Sequence, residues 1–327
     1  MIIPFIDGYF RLIISWPEVI RSQTSTFMTL TMKYVFFILL LLSCSKAIGQ
    51  PDRIYNSLEE ATLQPDAVFQ LFLDRQSLEA VPEAIVKFKN LTVLHLDRNN
   101  IRSIPLFMMH LPQLKVLSLN FNKIDTLPLQ IGKLSHLEAL SLQANRISQV
   151  PETIGQLHHL KELNLGWNDI TVLPTSIGNL TKLHTIYLGG NYLKQLPASF
   201  SQLIHLTNVN LYDNQFEAVP EQLSALKELK ILSMNLNQIN SFPAFLSNNP
   251  HLERLWLNHN KITHLPDTIG DFQSLSALGL KNNRLGKIPT TIAKLKTLRW
   301  LELQKNNLSQ KDTLAVKSLL PKAKCHF

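Results

Sequence analysis

Residues 160–182 read LKELNLGWNDITVLPTSIGNLTK, and this stretch decides how most of the chain folds. Leu163 and Leu165 alternate with Asn164, which is the pattern of a short strand with one buried face. Asn168 follows at the strand exit, and Pro174 opens a second half in which apolar residues have helix-like spacing. A single strand of about three residues cannot bury its own apolar face, so the stretch predicts that copies of itself stack together.

The stretch recurs at a constant step of 23 residues. Its first leucine recurs at Leu91, Leu114, Leu137, Leu160, Leu183, Leu206, Leu229, Leu252, Leu275 and Leu298. An asparagine stands eight residues after each of these, at Asn99, Asn122, Asn145, Asn168, Asn191, Asn214, Asn237, Asn260, Asn283 and Asn306. A weaker first copy begins at Val68, with Gln76 in the asparagine position, so residues 68–308 are predicted to hold ten full units and a terminal half unit.

Each recurring residue type has a physical reason. The strand leucines predict a parallel sheet with a shared core, built by stacking the units. The asparagine amide can pair backbone groups that the turn after the strand leaves free, so stacked copies predict a structural asparagine ladder. Proline, fourteen residues after each first leucine from Pro105 to Pro289, suits the first turn of a short helical return segment. Gly132, Gly155, Gly178 and Gly270 stand where a larger side chain would crowd the next coil.

The unit LxxLxLxxNxLxxLPxxIGxLxx resembles the leucine-rich repeat family, and the match covers most of the chain. Its second half is similar to that of Ras-associated and bacterial secreted members of this family. The resemblance implies an α/β solenoid, or horseshoe, with a concave parallel sheet and a convex side of short helices. It also implies a protein-binding role without naming the partner.

Two units depart from the pattern. In the unit that starts at Leu229, Met234 replaces the second strand leucine and Asn249 replaces a core leucine, so we expect a local irregularity on the convex side. In the unit that starts at Leu91, Met108, Met109 and Pro112 make a milder change.

Caps are expected at both ends, because terminal coils would otherwise expose the core. In residues 50–67, Ile54, Leu58 and Ala61 have the spacing of a short amphipathic helix. In residues 309–327, Ser309 and Asp312 form a capping-box pattern that predicts a helix through Leu320. Cys325 and Phe327 then alternate with polar residues and are predicted to face inward, where a buried cysteine is favoured over a nucleophile.

The N-terminal residues predict an export signal. Residues 32–49 contain Lys33, a nine-residue apolar run and a small-x-small sequence that ends at Gly49. This apolar run is too short to cross a bilayer. Cys44 follows Leu-Leu-Ser, which resembles a bacterial lipobox, so lipidation of Cys44 and a chance cysteine in a signal peptide both stay open. Residues 1–31 do not resemble a signal and are interpreted as a start-site artefact or a disordered extension.

Composition favours a binding protein over an enzyme or a nucleic-acid binder. The formal net charge is +8, but basic and acidic residues alternate along the predicted sheet, which is not a groove that tracks phosphates. The adjacent His158 and His159 lack a carboxylate at metal-ligand spacing. Gly189-Gly190 is not followed by a phosphate-loop pattern. We therefore expect no catalytic residue, no metal, no cofactor and no nucleic-acid partner.

The predicted concave face contains aromatic side chains that the repeat does not require. Trp167, Tyr187 and Tyr212 come from consecutive units, and Trp256 lies further along. Adjacent strands lie about 4.8 Å apart, so the first three are expected side by side. Exposed tryptophan and tyrosine are typical of binding hot spots, although they can also simply shield the sheet. Together with Asn210, Asn235 and Asn258 they form the candidate binding site.

Three functions remain open at this point. The first is a monomeric, non-enzymatic scaffold, secreted or lipid-anchored at the surface of a bacterium, that binds a protein or peptide. The second is a cell-surface carbohydrate binder, because aromatic platforms with polar flanks also serve that role. The third is an intracellular, cytoplasmic signalling scaffold, if the leader is not a signal.

Overall fold

Thirteen short parallel strands form one sheet in residues 51–327, the part of the chain that this computed structural model describes. Each strand pairs with its neighbours in chain order, as stacking of successive units requires. The strands are β1 (Ile54–Tyr55), β2 (Gln70–Phe72), β3 (Val93–His95), β4 (Val116–Ser118), β5 (Ala139–Ser141), β6 (Glu162–Asn164), β7 (Thr185–Tyr187), β8 (Asn208–Asn210), β9 (Ile231–Ser233), β10 (Arg254–Trp256), β11 (Ala277–Gly279), β12 (Trp300–Glu302) and β13 (Lys324–His326).

The register of the strands follows the 23-residue step. Between β6 and β7, Leu163 pairs with Ile186 and Asn164 pairs with Tyr187. Equivalent residues of neighbouring units therefore form rows across the sheet. Leu163 and Leu165 are fully buried, so one side of each strand faces the shared core, as the alternation predicts.

The return segments are 3-10 helices of three to five residues. They span Pro65–Ala67, Glu83–Lys87, Leu106–His110, Ile131–Lys133, Glu152–Gln156, Thr175–Asn179, Ala198–Gln202, Glu221–Ala225, Ala244–Asn248, Asp267–Asp271 and Thr290–Lys294. The predicted place of proline was wrong by one position. Pro174, for example, has extended ψ of 152° and stands just before Thr175–Asn179 as its N-cap, where its missing N–H leaves no bond unmade.

Glycine in the return segment is required by the approach of the next coil. A Cβ at Gly155 would lie 2.4 Å from the carbonyl oxygen of Ser176, and one at Gly178 would lie 2.4 Å from that of Ser199. These are backbone atoms, so no side-chain rotation relieves the overlap. The close spacing of neighbouring coils therefore depends on these glycines.

The asparagine row lies inside the coil, where it pairs backbone groups that the turn leaves free. The Nδ2 amide of Asn168 donates to the carbonyl oxygens of Leu142 at 3.0 Å and Leu165 at 3.1 Å. Its Oδ1 accepts the N–H of Ile147 at 3.0 Å. Asn168 is 5% exposed, so these bonds satisfy groups that water does not reach.

The two ends of the sheet combine a strand with a short helix. Near the N-terminus, helix α1 spans Leu58–Leu63 and buries Ala61. The expectation that Ile54 belongs to this helix was wrong: it lies in β1, where pairing with β2 extends the sheet and buries Tyr55 instead. A helix is disfavoured there because Ser57 is the N-cap of α1 and accepts the N–H of Glu60.

Near the C-terminus, helix α2 spans Gln310–Leu319 and begins with the capping box of Ser309 and Asp312. Val316 and Leu320 are buried against the core. The chain then forms β13, which pairs with β12 and leaves Cys325 partly buried. Burial raises the pKa of the Cys325 thiol, which lowers its reactivity at neutral pH.

The irregularity expected in the unit that starts at Leu229 is seen in the backbone at Pro243 and in the hydrogen bonds of the Asn249 side chain. The 3-10 helix Ala244–Asn248 is present, and Pro243 before it has ψ of 73°. Asn249 is 3% exposed and donates its amide to the carbonyl oxygens of Leu223 and Leu226. Its Oδ1 has no hydrogen-bond partner in the described part of the chain. A buried polar side chain thus replaces a leucine without breaking the coil.

Residues 1–31, the predicted signal at 32–49 and Cys44 lie outside the described residues. Within residues 51–327, no helix has the length and apolar character needed to cross a membrane.

Candidate functional site

The four candidate aromatic residues lie on the sheet or directly after its strands. Tyr187 and Trp256 end β7 and β10, whereas Trp167 and Tyr212 follow β6 and β8 at the strand exits. Trp167 is 51% exposed and Tyr187 is 40% exposed. Tyr212 and Trp256 are half-buried. About half of the Trp167 side chain is therefore accessible to solvent.

Trp167 has a left-handed backbone, with φ of 54°. The same conformation recurs one unit before and after, and along the row of equivalent positions: Arg75, Arg98, Phe121, Ala144, Gly190, Asp213, Leu236, His259, Asn282 and Lys305. A bulky residue with positive φ is uncommon and costs energy. Because every unit turns in the same way before its asparagine, this backbone geometry is a property of the coil and not of a site. Sequence reasoning did not foresee it.

The indole ring of Trp167 lies over the backbone of the next unit. A Cβ at Gly190 would come within 2.6 Å of Cδ2 and 2.8 Å of Cε3 of that ring. The Tyr212 ring lies close to the Trp167 ring. The two ring centroids are 6.3 Å apart, and the ring planes are inclined by 53° to each other. Trp167 and Tyr212 are thus brought together, in line with the expected neighbourhood, and Tyr187 lies on the strand between their units.

Trp256 shows the same arrangement with Gly279. A Cβ at Gly279 would lie 2.6 Å from Cε3 of Trp256. Gly190 follows Trp167 by 23 residues, and Gly279 follows Trp256 by 23 residues. A glycine at the equivalent position of the next unit makes room for each ring. This pairing was visible in the sequence as a tryptophan and a glycine one repeat apart, but its meaning requires the stacked coils.

The three candidate amides already bond to the backbone through their oxygen atoms. Oδ1 of Asn210 accepts the N–H of Tyr212 at 2.9 Å, and Oδ1 of Asn235 accepts the N–H of Asn258 at 2.7 Å. Asn258 accepts the N–H of Lys281 and donates to Glu302. Within the described residues the Nδ2 groups of Asn210 and Asn235 donate to no atom. These two amides can therefore offer their Nδ2 donors to a partner, while each Oδ1 already accepts one backbone N–H.

A second row of polar residues crosses the concave face, and sequence reasoning missed it. Its members are the Asp or Asn six residues after the first position of a unit: Asp74, Asp97, Asn120, Asn235 and Asn258. Each accepts, through Oδ1, the backbone N–H at the same position of the next unit, as Asp97 does from Asn120 at 2.7 Å. The recurrence of Asp and Asn at this offset was a usable signal.

Asp74, His95 and Asp97 form the one group of described residues with the reach to share a metal ion, since one ligand atom of each lies within 4.8 Å of the others. Hydrogen bonding accounts for much of this cluster. Asp97 accepts the hydroxyl of Ser118 and the backbone N–H of Asn120. Burial raises the pKa of Asp74, and the neighbouring Asp97 carboxylate raises it further. The acidic pair is thus part of the polar row on the sheet.

Charged residues near the centre of the sheet pair across units. Glu138 lies between Lys161, at 2.6 Å, and Lys115, at 3.5 Å. The hydrogen bond from Lys161 is the main reason that the pKa of Glu138 is lowered. One unit along, burial raises the pKa of Glu162. Glu138 is therefore compensated by two lysines, whereas Glu162 forms no ion pair among the described residues.

Comparison with known protein families matches the repeat along much of the chain. A model described as "Leucine-rich repeat region" matches residues 152–248. A model described as "Leucine rich repeat" matches residues 70–124, 89–147 and 112–170, and a further one matches residues 251–272. With the parallel sheet and the 23-residue step, these matches show that the chain belongs to the leucine-rich repeat family. Comparison with curated proteins found no match.

Solved structures share the fold. A TDR receptor aligns with a TM-score of 0.72 and 29% identity over 88% of this chain and 52% of its own. The plant peptide hormone receptor RGFR1, in complex with RGF2, aligns with a TM-score of 0.65 and 27% identity over 80% of this chain and 47% of its own. This chain thus spans about half the length of either receptor. An internalin from Listeria monocytogenes aligns with a TM-score of 0.54 and 22% identity, over 80% of this chain and 87% of its own, which shows the fold alone.

Proposed function

We propose that this protein is a non-enzymatic scaffold that binds a protein or peptide on the concave face of its sheet. The observation that carries the proposal is the aromatic patch, defined as Trp167, Tyr187, Tyr212 and Trp256. Exposed aromatic rings on a rigid sheet supply large contact area at a small cost in conformational entropy. The similarity to a plant peptide hormone receptor in complex with RGF2 supports a peptide as the class of partner.

Polar groups beside the patch would set the orientation of the bound peptide. The Nδ2 groups of Asn210 and Asn235, which donate to no atom of residues 51–327, can donate to backbone carbonyl oxygens of an extended peptide. Their Oδ1 atoms are held by the protein backbone, so the amides have a set orientation before binding. Binding energy would then come mainly from the aromatic rings, and selectivity from the fixed donors.

The test is selection of binders from a displayed random-peptide library on the purified protein. Selected peptides are then measured by calorimetry against the wild type and the W167A/Y187A/W256A variant. The matched control is L129A/V172A/I204A, which removes three exposed apolar side chains that lie outside the strands. We expect the aromatic variant to lose at least about tenfold in affinity, as hot-spot truncations do, while the control keeps it.

Equal binding by both variants, each shown to be folded by circular dichroism, would place the binding surface elsewhere. Capture of glycans on an array, with no peptide selected, would instead favour the carbohydrate-binding alternative.

We further propose that the protein is exported, either free or anchored through Cys44. Support comes from the sequence of residues 32–49 alone. N-terminal sequencing of the natural protein, together with metabolic acyl labelling, tests it. A mature chain that begins at Cys44 and carries label indicates the anchored form, and one that begins at Gln50 without label indicates the free form. A chain that retains residues 32–49 contradicts export by cleavage.

A further inference from the structure

A shallow cleft opens at the strand exits next to the aromatic patch. Its walls are Trp167, Tyr192, Asp169 and Asp213, and Gly190 lies beneath the indole ring. Trp167 and Tyr192 are 51% and 50% exposed, so both aromatic side chains are accessible at this place. Tyr192 lies on the turn after β7 and was not among the residues singled out by the sequence.

The two carboxylates of the cleft have no internal counter-charge. Among the described residues neither Asp169 nor Asp213 forms an ion pair or a side-chain hydrogen bond; all four ion pairs in this part of the chain involve other residues. Arg146 occupies the position of Asp169 in the preceding unit, and the structure shows no ion pair between them. Negative charge beside aromatic faces favours a cationic ligand.

The protein itself shows how a guanidinium group fits this row of the coil. Arg98 and Phe121 occupy the same position as Trp167 in two earlier units, and the Arg98 guanidinium carbon lies 4.6 Å from the centre of the Phe121 ring. Around Trp167 the neighbouring positions hold Ala144 and Gly190, which have no side chain long enough to cover the indole. The aromatic surface that an arginine covers at Phe121 is therefore left open at Trp167.

We propose that this cleft binds an arginine side chain of the partner. The planar guanidinium would stack on the indole of Trp167, as Arg98 stacks on Phe121, and donate to the carboxylates of Asp169 and Asp213. Arginine suits this geometry better than lysine, because a flat group with five donors can contact a ring face and a carboxylate together. The inference rests on the proposed function, since it names the chemistry that a peptide partner brings to the aromatic patch.

The experiment uses the purified protein and two small probes, N-acetyl-arginine amide and its neutral isostere N-acetyl-citrulline amide. Indole N–H resonances of the tryptophans are followed by NMR during titration, with the Trp167 signal assigned from the W167F variant. We expect the arginine probe to shift the Trp167 signal with an apparent Kd about fivefold below that of the citrulline probe. Equal shifts with both probes, or none at the solubility limit, overturn the proposal.

Charge-matched variants separate the cleft from general attraction to a cation. D169N/D213N removes two negative charges in the cleft, and D267N/D271N removes two exposed ones on a return segment. We expect the first variant to weaken arginine binding about fivefold, as loss of two partly exposed ionic contacts should, and the second to leave it unchanged. Equal weakening by both variants overturns the proposal as well.

The two proposals fail in different ways. If peptides from the library bind the aromatic patch but carry no arginine that responds to D169N/D213N, the arginine cleft is wrong and the proposed function stands. If the arginine probe binds in the cleft but no peptide depends on the patch, the proposed function is wrong while the cleft remains.

Discussion

The asparagine row gives the sharpest test of how the fold is held together. Replacing Asn168 by alanine removes the one acceptor that residues 51–327 offer to the buried Ile147 N–H, which the Asn168 side chain holds at 3.0 Å. A buried donor left without a partner costs about 1–3 kcal/mol. Asn168 is 5% exposed, which favours the upper half of that range.

The carbonyl oxygens that Asn168 also contacts lose less. The Leu142 oxygen keeps the amide of Asn145 at 3.0 Å, and the Leu165 oxygen keeps that of Asn191 at 3.0 Å. The Gly166 oxygen, which accepts from Asn168 at 3.2 Å, keeps the N–H of Ala144 at 2.9 Å. Each oxygen therefore retains one donor after the substitution. Adding a small contribution from these three weakened sites to the cost of the Ile147 N–H left without a partner gives an expected loss of about 3 kcal/mol in the free energy of unfolding.

The assay is urea unfolding followed by both circular dichroism and tryptophan fluorescence, with linear extrapolation to water. Coincidence of the two curves is required, because a solenoid can unfold in more than one step. The matched control is Asn208→Ala in β8, whose side chain makes no hydrogen bond among the described residues and should cost below about 0.5 kcal/mol. A loss under about 1 kcal/mol for Asn168→Ala, or a loss equal to the control, would refute the reasoning.

Three further predictions follow from the same geometry. Gly155→Ala should lower the free energy of unfolding by about 1–3 kcal/mol, since its Cβ would lie 2.4 Å from a backbone oxygen, whereas Gly286→Ala, whose Cβ meets nothing within 4 Å, should not lower it. Asn249→Leu should raise it by about 1 kcal/mol, because a buried Oδ1 that finds no partner among residues 51–327 is replaced by an apolar side chain. Glu138→Gln should reduce the stability lost on acidification, because Lys161 lowers the pKa of Glu138 from its ordinary 4.5.

For Glu138, the sign and the size of the pH effect on stability follow from the linkage between protonation and folding. A carboxyl whose pKa is lower in the folded state stabilises the fold above its unfolded pKa, and that contribution is lost as pH falls through the folded value, here below 4.5. The carboxylate is partly exposed, so solvent screening limits the effect to below about 1 kcal/mol. Urea unfolding of both proteins at pH 7 and pH 3 measures it, and an equal loss in the two would contradict the prediction.

Other outcomes for Gly155→Ala and Asn249→Leu would contradict the predictions made for them. If Gly155→Ala and Gly286→Ala cost the same, the coils can separate enough to admit a methyl group. If Asn249→Leu is destabilising, the two hydrogen bonds that Asn249 donates outweigh its orphaned oxygen. Thermal and urea unfolding of each variant beside the wild type decides both cases.

Much of the fold was predictable because the same pattern of buried and exposed residues recurs in every unit. The alternation of Leu163 and Leu165 predicts a strand with one buried face, and the 23-residue step predicts parallel neighbours. The structure of the two ends was harder to predict, because each end occurs once and no repeat of its pattern distinguishes a helix from a strand. Ile54 fits a helical pattern as well as a strand, and pairing with β2 decides for the strand.

The candidate site was predictable only as a set of residues. The repeat does not require an aromatic residue at Trp167, so the sequence could single it out. Its contact with Gly190, and the open cleft formed with Tyr192 and Asp213, depend on residues one or two units away. The sequence placed Asn235 in the candidate binding site, but only the structure shows that its oxygen accepts the Asn258 N–H.

The sequence by itself therefore determined the architecture: a 23-residue unit, a parallel sheet, and an asparagine after each strand from β3 to β12. These follow from local rules, since each unit must bury its leucines and pair its backbone in the same way. Only the tertiary structure decided what the aromatic side chains outside the repeat pattern contact. The contacts of a side chain such as Trp167 depend on its neighbours across the sheet. Those neighbours are 23 residues away in sequence but in contact in space.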